Sequence, residues 1–182
     1  MTTLYVYIAG PEGSGKTTFL HSLGTPESLI VDRENGIEYR QFVVDDTLDL
    51  QVLTSIEASR FDRLLEIAQR DILGYLIIVD SADQESWSMA RVMLAHSRGY
   101  ALVPTLIVAN KQDLLGAATP EQVGAWIGME SMVYVTGCQA TKPSSVRAAF
   151  LQLLFSVRHE IERLDSLIAE IERTFGTDDA DA

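Results

Sequence analysis

Two kinds of apolar pattern alternate along the chain. Leu4 to Ala9 (Leu-Tyr-Val-Tyr-Ile-Ala) and Tyr75 to Val79 are continuous apolar runs rich in β-branched and aromatic residues, as strands buried on both faces are. Leu106 to Ala109 and Met132 to Val135 read the same way. Between them lie stretches of helical period. Thr17 to Leu23 is one; Arg60 to Leu73 is a second, with Phe61, Leu64, Leu65, Ala68 and Ile72 on one face; Glu85 to Arg98 is a third, carrying Trp87, Val92, Met93 and Leu94 and ended by Gly99. Thr119-Pro120-Glu121-Gln122 is a helix start with a threonine N-cap, proline at the first position and glutamine at the third. A last helix begins near Ser144. Ile37 to Val44 and Leu48 to Leu53 are joined at Asp45-Asp46, too short a link for anything but an antiparallel hairpin, here placed on a sheet edge. Gly24 to Asn35 reads as polar and irregular. The alternation predicts an α/β fold with a doubly wound, mostly parallel six-stranded sheet and an extended C-terminal helix.

That last helix has its own pattern. Phe150, Leu154, Val157, Ile161, Leu164, Ile168, Ile171 and Phe175 repeat every seven residues, with Glu160, Glu162, Arg163, Asp165 and Glu170 around the stripe. Its first part is expected to pack on the sheet. The part beyond Arg158 has two readings: a terminal helix folded back on its own domain, or an interaction helix for self-association or for a partner. Residues 177–182 read as disordered.

Composition narrows the setting. A chain of 182 residues is most simply one domain, and a net charge of −12 disfavours nucleic acid as a partner. The single cysteine, Cys138, allows no internal disulfide and suits the cytoplasm. The N-terminus lacks the features of a signal peptide, no apolar run approaches the ~18 residues of a membrane span, and the C-terminus has neither a prenylation cysteine nor a polybasic stretch. A direct membrane anchor is therefore not expected.

The densest chemistry follows the first strand. Gly10-Pro-Glu-Gly-Ser-Gly-Lys-Thr17 fits the phosphate-loop pattern G-x-x-x-x-G-K-[ST] without a mismatch, between a predicted strand and a predicted helix. Gly10, Gly13 and Gly15 allow a tight turn in which the N–H groups of residues 13–18, Ser14 and Thr18 among them, face phosphate oxygens. The helix N-terminus adds its dipole. Lys16 would reach the β- and γ-phosphates, and the Thr17 hydroxyl would be a ligand of Mg²⁺.

Asn110-Lys111-Gln112-Asp113 directly follows the strand Leu106 to Ala109, at the carboxyl end where such sheets bind ligands. Asp113 can accept from the ring N1–H and exocyclic amine of guanine; adenine offers neither donor there. The Lys111 stem can cover the base, and the Asn110 amide can tie this loop to the phosphate loop.

With these two motifs the sequence resembles the Ras-like small GTPases over roughly residues 4–157, in particular bacterial members that work beside roadblock-type partners. The resemblance implies a G domain over residues 1–157, a helical extension over 158–176, bound GTP or GDP with Mg²⁺, and a protein partner. It aligns Gln139-Ala140-Thr141 with the family's third base-side loop, placing the Ala140 N–H at the guanine O6. Cys138 beside it reads as a packing residue. Asp80 is implied to brace its loop. His21, His96 and His159 have no metal-site spacing around them.

The departures concern hydrolysis. Where the family carries Asp-x-x-Gly-Gln, this chain reads Thr54-Ser55-Ile56-Glu57-Ala58, so an alanine stands where a glutamine would orient the attacking water. Thr25 and Ser28 are the only hydroxyl residues before Gly36 that could close over the γ-phosphate. Arg33, Arg40 and Arg60 are available in cis and read as solvated charges. A slow or partner-dependent GTP hydrolase acting as a molecular switch is the leading expectation. A non-hydrolysing pseudo-GTPase serving as an assembly subunit is the alternative. An adenine-nucleotide enzyme on the same phosphate loop is disfavoured by Asp113.

Overall fold

The computed structural model of the chain describes residues 2–25, 28–56, 71–129 and 131–175. Its strands are β1 (Thr2–Ala9), β2 (Leu29–Asp32), β3 (Ile37–Val43), β4 (Leu48–Ser55), β5 (Ile72–Asp80), β6 (Thr105–Asn110) and β7 (Val133–Gly137). The helices among the described residues are α1 (Lys16–Leu23), α2 (Gln84–Tyr100), α3 (Pro120–Ile127) and α4 (Pro143–Phe175). One sheet holds all seven strands in the order β2-β3-β4-β1-β5-β6-β7. β2, β3 and β4 pair antiparallel, and every other neighbouring pair is parallel.

The alternation of side chains along β1 explains the layering. Val6 and Ile8 join Phe19, Leu20, Val146, Phe150 and Leu153 under α1 and α4, while Tyr7 and Ala9 join Trp87, Met93, Val123 and Ile127 under α2 and α3. Gly74 in β5 permits the close seating of α4, since a Cβ there would stand 2.9 Å from the Pro104 carbonyl oxygen and 3.1 Å from Leu153 Cδ1. After β1 the chain builds the β4 side of the sheet and then crosses to β5. The carboxyl ends of β1 and β5 therefore flank the switch point of the fold.

Four local expectations are revised. The sheet has seven strands rather than six, because Leu29–Asp32, inside the stretch read as irregular, pairs with Ile37–Arg40 as an outer edge. Four residues are too few for a pattern to stand out. β5 begins at Ile72, so Ile72 and Leu73 belong to a strand and not to the end of a helix; residues 57–70, the rest of that predicted helix together with Glu57, Ala58 and Arg60, lie outside the described residues. Gly99 lies within α2, which starts from an Asp83 side-chain cap on the Glu85 N–H and runs to Tyr100. The last strand is shifted forward to Val133–Gly137, after Met132 at φ 63°.

Arg40 is a further revision. It is not a solvated charge but is 1% exposed on β3. Its guanidinium donates to the Leu20 carbonyl at 2.5 Å and the His21 carbonyl at 2.8 Å, to Ser28 Oγ at 2.5 Å, and to the Thr25 carbonyl. The last carbonyls of a helix have no partners within it, and a cation there also meets the negative end of the dipole. Arg40 thus fastens α1 and the segment after it to β3. Arg33 is exposed.

α4 is one helix of 33 residues. Val146, Ala149, Phe150, Leu153 and Val157 are buried, and Glu160 accepts from Tyr134 Oη at 3.0 Å and from Arg163 Nε at 2.8 Å. Beyond it Ile161, Leu164, Ile168 and Ile171 are 48–52% exposed, so the helix does not fold back. Residues 176–182 lie outside the described residues. No helix among the described residues is long and apolar enough to cross a membrane.

Two stability outcomes follow. Arg40→Ala leaves several buried acceptors without a donor and is expected to cost about 3 kcal/mol, read as a lower urea midpoint at unchanged slope. The Tyr75 hydroxyl is buried without a hydrogen-bond partner, and burial, with a smaller contribution from Tyr100, raises its pKa above the ordinary phenol value. The unfolded phenol ionises near its ordinary pKa of about 10 while the folded one does not, so this contribution is constant below that pH and is lost as pH rises above it. Tyr75→Phe is expected to stabilise the fold by about 1 kcal/mol at neutral pH and to flatten the alkaline loss in a pH series of denaturation curves.

Candidate functional site

The phosphate loop spans the end of β1 and the start of α1. Gly10, Gly13 and Gly15 have φ of 151°, 73° and 102°. A Cβ on Gly10 would stand 2.2 Å from the Ile78 carbonyl oxygen, and one on Gly15 would stand 2.3 Å from Asn110 Nδ2. Gly10 and Gly15 are thus required both by backbone conformation and by contact with β5 and β6, and Gly13 by conformation alone. Ser14 is buried, and Thr17 and Thr18 are exposed at the mouth of α1.

Lys16 Nζ lies 2.8 Å from the carbonyl oxygens of both Gly10 and Pro11. Burial pushes its pKa below the ordinary lysine value, with the Glu12 carboxylate pulling it back up. A desolvated ammonium held by two carbonyl dipoles gains strongly from a nearby anion.

Asn110 closes β6 and is 2% exposed. Its Nδ2 donates to the Ser14 carbonyl at 2.8 Å, and its Oδ1 accepts the Ala140 N–H at 2.9 Å. One amide therefore joins three loops that are far apart in sequence. The Ala140 N–H expected at the base edge is donated to Asn110 instead, and Ala140 contributes its small side chain to the wall.

The next residue, Lys111, has φ 63° and pairs with Asp80 Oδ2 at 2.6 Å. Asp80 is itself fixed, its Oδ1 accepting the Ala82 N–H at 2.9 Å and its carbonyl accepting Trp87 Nε1 at 2.8 Å, which gives it the bracing role expected of it. Gln112 Nε2 donates to Ser81 Oγ at 2.8 Å and to the Ala118 carbonyl at 2.9 Å. The loop is thereby held so that the exposed Asp113 stands at its rim.

A cavity of about 250 Å³ opens among these loops, lined by Gly13, Gly15, Thr18, Asn110, Lys111, Asp113, Leu114, Ala140 and Thr141. Phosphate loop and base reader thus face one space. Sequence reasoning missed Leu114 and Thr141 as wall residues and Gln112 as a brace; Leu114 and Thr141 each adjoin a predicted residue, the one signal that could have found them. Cys138 is buried, its thiol pKa pushed up by burial, as a packing residue's would be.

The switch candidates do not join the cavity. Ser28 Oγ donates to the Thr25 carbonyl at 2.9 Å and accepts from Arg40, so it is committed to the α1 connection. Thr54 is buried, its Oγ1 donating to the Ile8 carbonyl at 3.0 Å inside the sheet. Among the described residues no group of three or more His, Cys, Asp or Glu could hold a metal.

Comparisons with known proteins point to one family. The ADP-ribosylation factor family model matches residues 3–157. ADP-ribosylation factor-like protein 2 of Arabidopsis thaliana is 25% identical over 169 residues, covering 88% of this chain and 90% of that protein. ADP-ribosylation factor-like protein 5 of Caenorhabditis elegans is 26% identical over 153 residues, covering 75% and 81%. The structure of the Arl6 BBS3 small GTPase from Trypanosoma brucei, with a bound nucleotide analogue, superposes with a TM-score of 0.66 at 22% identity, covering 87% of this chain and 99% of that one. At that identity it speaks for the fold.

Asn110→Ala removes both hydrogen bonds that couple the loops. Its expected effect is about 30-fold faster release of bound guanine nucleotide, measured by displacement of a fluorescent analogue, at a fold stability lowered by no more than about 2 kcal/mol. A phosphate loop and a guanine-type reader sharing one cavity, together with the match over residues 3–157, make this chain a member of the ADP-ribosylation factor family of small GTP-binding proteins.

Proposed function

We propose that the chain is a molecular switch that holds GTP or GDP in this cavity and hydrolyses GTP slowly unless a partner intervenes. The observation that carries the reading is the double hydrogen bond of Asn110, which makes the phosphate loop and the guanine side one unit. In this reading Gly13, Ser14, Gly15 and Thr18 present backbone N–H groups to the phosphates and Lys16 meets the β- and γ-phosphates. Asp113 reads the guanine edge, with Lys111 over its face.

The donor set fits Mg²⁺ in its usual phosphate-bound form: Thr17 is an exposed hydroxyl at the head of α1, and such an ion takes its other oxygens from phosphates and water. Bound there, the ion would neutralise charge on the β- and γ-phosphates.

Slow turnover is the reading that Ala58 and the Thr54 hydroxyl support. Ala58 has no group to orient a water, and the Thr54 hydroxyl is tied to β1. A partner that supplies an arginine would be worth roughly 10³ to 10⁵ in rate. The partner proposed is a protein, of the roadblock type by resemblance, met in the cytoplasm. The same Thr54 geometry favours a second reading, a pseudo-GTPase that keeps its nucleotide as a structural element of an assembly.

The test is chromatography of the nucleotide retained after hours with Mg²⁺ and GTP. Retained guanine nucleotide that turns slowly into GDP is expected, with retention lost at least tenfold in Lys16→Ala and about 100-fold in Asp113→Ala. GTP recovered unconverted after a day would establish the second reading, and a protein that retains no guanine nucleotide would overturn both.

A further inference from the structure

The apolar stripe on the distal half of α4 lies on the same face of the helix as the residues that seat α4 on the sheet. Phe150, Val157, Leu164 and Ile171 follow one another at sevens, the first two buried and the last two half exposed. The face is covered by the sheet as far as Glu160, which meets Tyr134 of β7, and nothing among the described residues covers it after that. Because α4 begins beside the cavity loops and runs back along the sheet, the uncovered half leaves the domain at the pole opposite the cavity.

We infer that a second copy of this chain covers the stripe, with the two α4 helices antiparallel. The continuity of the face imposes that direction. Each domain sits on the side of its helix to which the stripe points, so in a parallel pair each domain would occupy the space of the other helix. In an antiparallel pair, Ile161 of one copy lies opposite Ile171 of the other and Leu164 opposite Ile168. In that register residue 175 comes level with Val157, the last buried position of the stripe on the partner's helix.

Charge points the same way. The parallel register would set Glu160 against Asp165 of the other copy twice over. The antiparallel one sets Arg158 against Glu172 twice, and its one like-charge meeting is Asp165 with its own counterpart on the two-fold axis. The exposed segment is acidic, with Glu162, Asp165, Glu170 and Glu172 against Arg163 and Arg173, which disfavours an anionic lipid surface as the occupant. Covering the stripe on both copies removes about 1,000 Å² of surface, at the lower end for a specific interface, so a micromolar dimer is expected.

The test is sedimentation of the full chain at about 100 µM. The wild type is expected to be a dimer and the Leu164→Glu/Ile168→Glu variant a monomer with unchanged thermal midpoint and nucleotide retention, since both positions are exposed in the single chain. Direction is read by oxidising single-cysteine additions, the buried Cys138 staying out of reaction. Ile161→Cys mixed with Ile171→Cys should give the cross-linked species, and neither alone should. A monomeric wild type would overturn the dimer and leave the stripe to a different protein; self-cross-linking of Ile161→Cys would overturn the antiparallel arrangement. Loss of nucleotide binding would bear on the proposed switch and not on this inference.

Discussion

A buried carboxamide on β6 is the joint of this structure. Asn110 spends its Nδ2 proton on the phosphate loop and its Oδ1 on the loop after β7. Both bonds are shielded from water, where a lost partner is costly. The glycines then have a second purpose beside conformation: a side chain on Gly15 would displace the amide itself. In the proposed reading, recognition of phosphates and recognition of a base are therefore not separable properties of two loops. They are one arrangement held at the switch point of a parallel sheet.

Around that joint, support comes from residues with no direct part in binding. Asp80 and Ser81 at the end of β5 hold Lys111 and Gln112 from behind, and Trp87 in turn holds Asp80. Lys111 has a left-handed backbone conformation, φ 63°, and its side chain is held by this ion pair. The opposite side of the site is different in character. Thr54 and Ser28 use their hydroxyls to hold the sheet and the α1 connection together.

Much of this was legible in the sequence because it depends on short spacings. Gly10 to Thr17 and Asn110 to Asp113 are contiguous, their flanking strands are strongly apolar, and the Thr119 cap with Gln122 is a local hydrogen-bond pattern. What escaped depends on contacts distant in sequence. Arg40 is buried only because α1 ends above β3, 20 residues away in the chain from Leu20, and β2, though local to β3, is too short for its pattern to stand out. The Ala140 N–H could be assigned to a base from analogy, but its actual acceptor lies 30 residues away in the chain. Leu73 carries no helix or strand preference strong enough to place a boundary that tertiary pairing decides.

α4 is one uninterrupted helix whose first turn is stapled to the base-side loop through the Gln139 N–H and Ser145 Oγ at 3.0 Å. At 1.5 Å per residue it is about 50 Å long, so a tilt of about 5° at the stapled end carries its far tip through about 4 Å. A helix of that length has the geometry of a lever arm, in which any tilt beside the cavity would be magnified at the opposite pole of the protein.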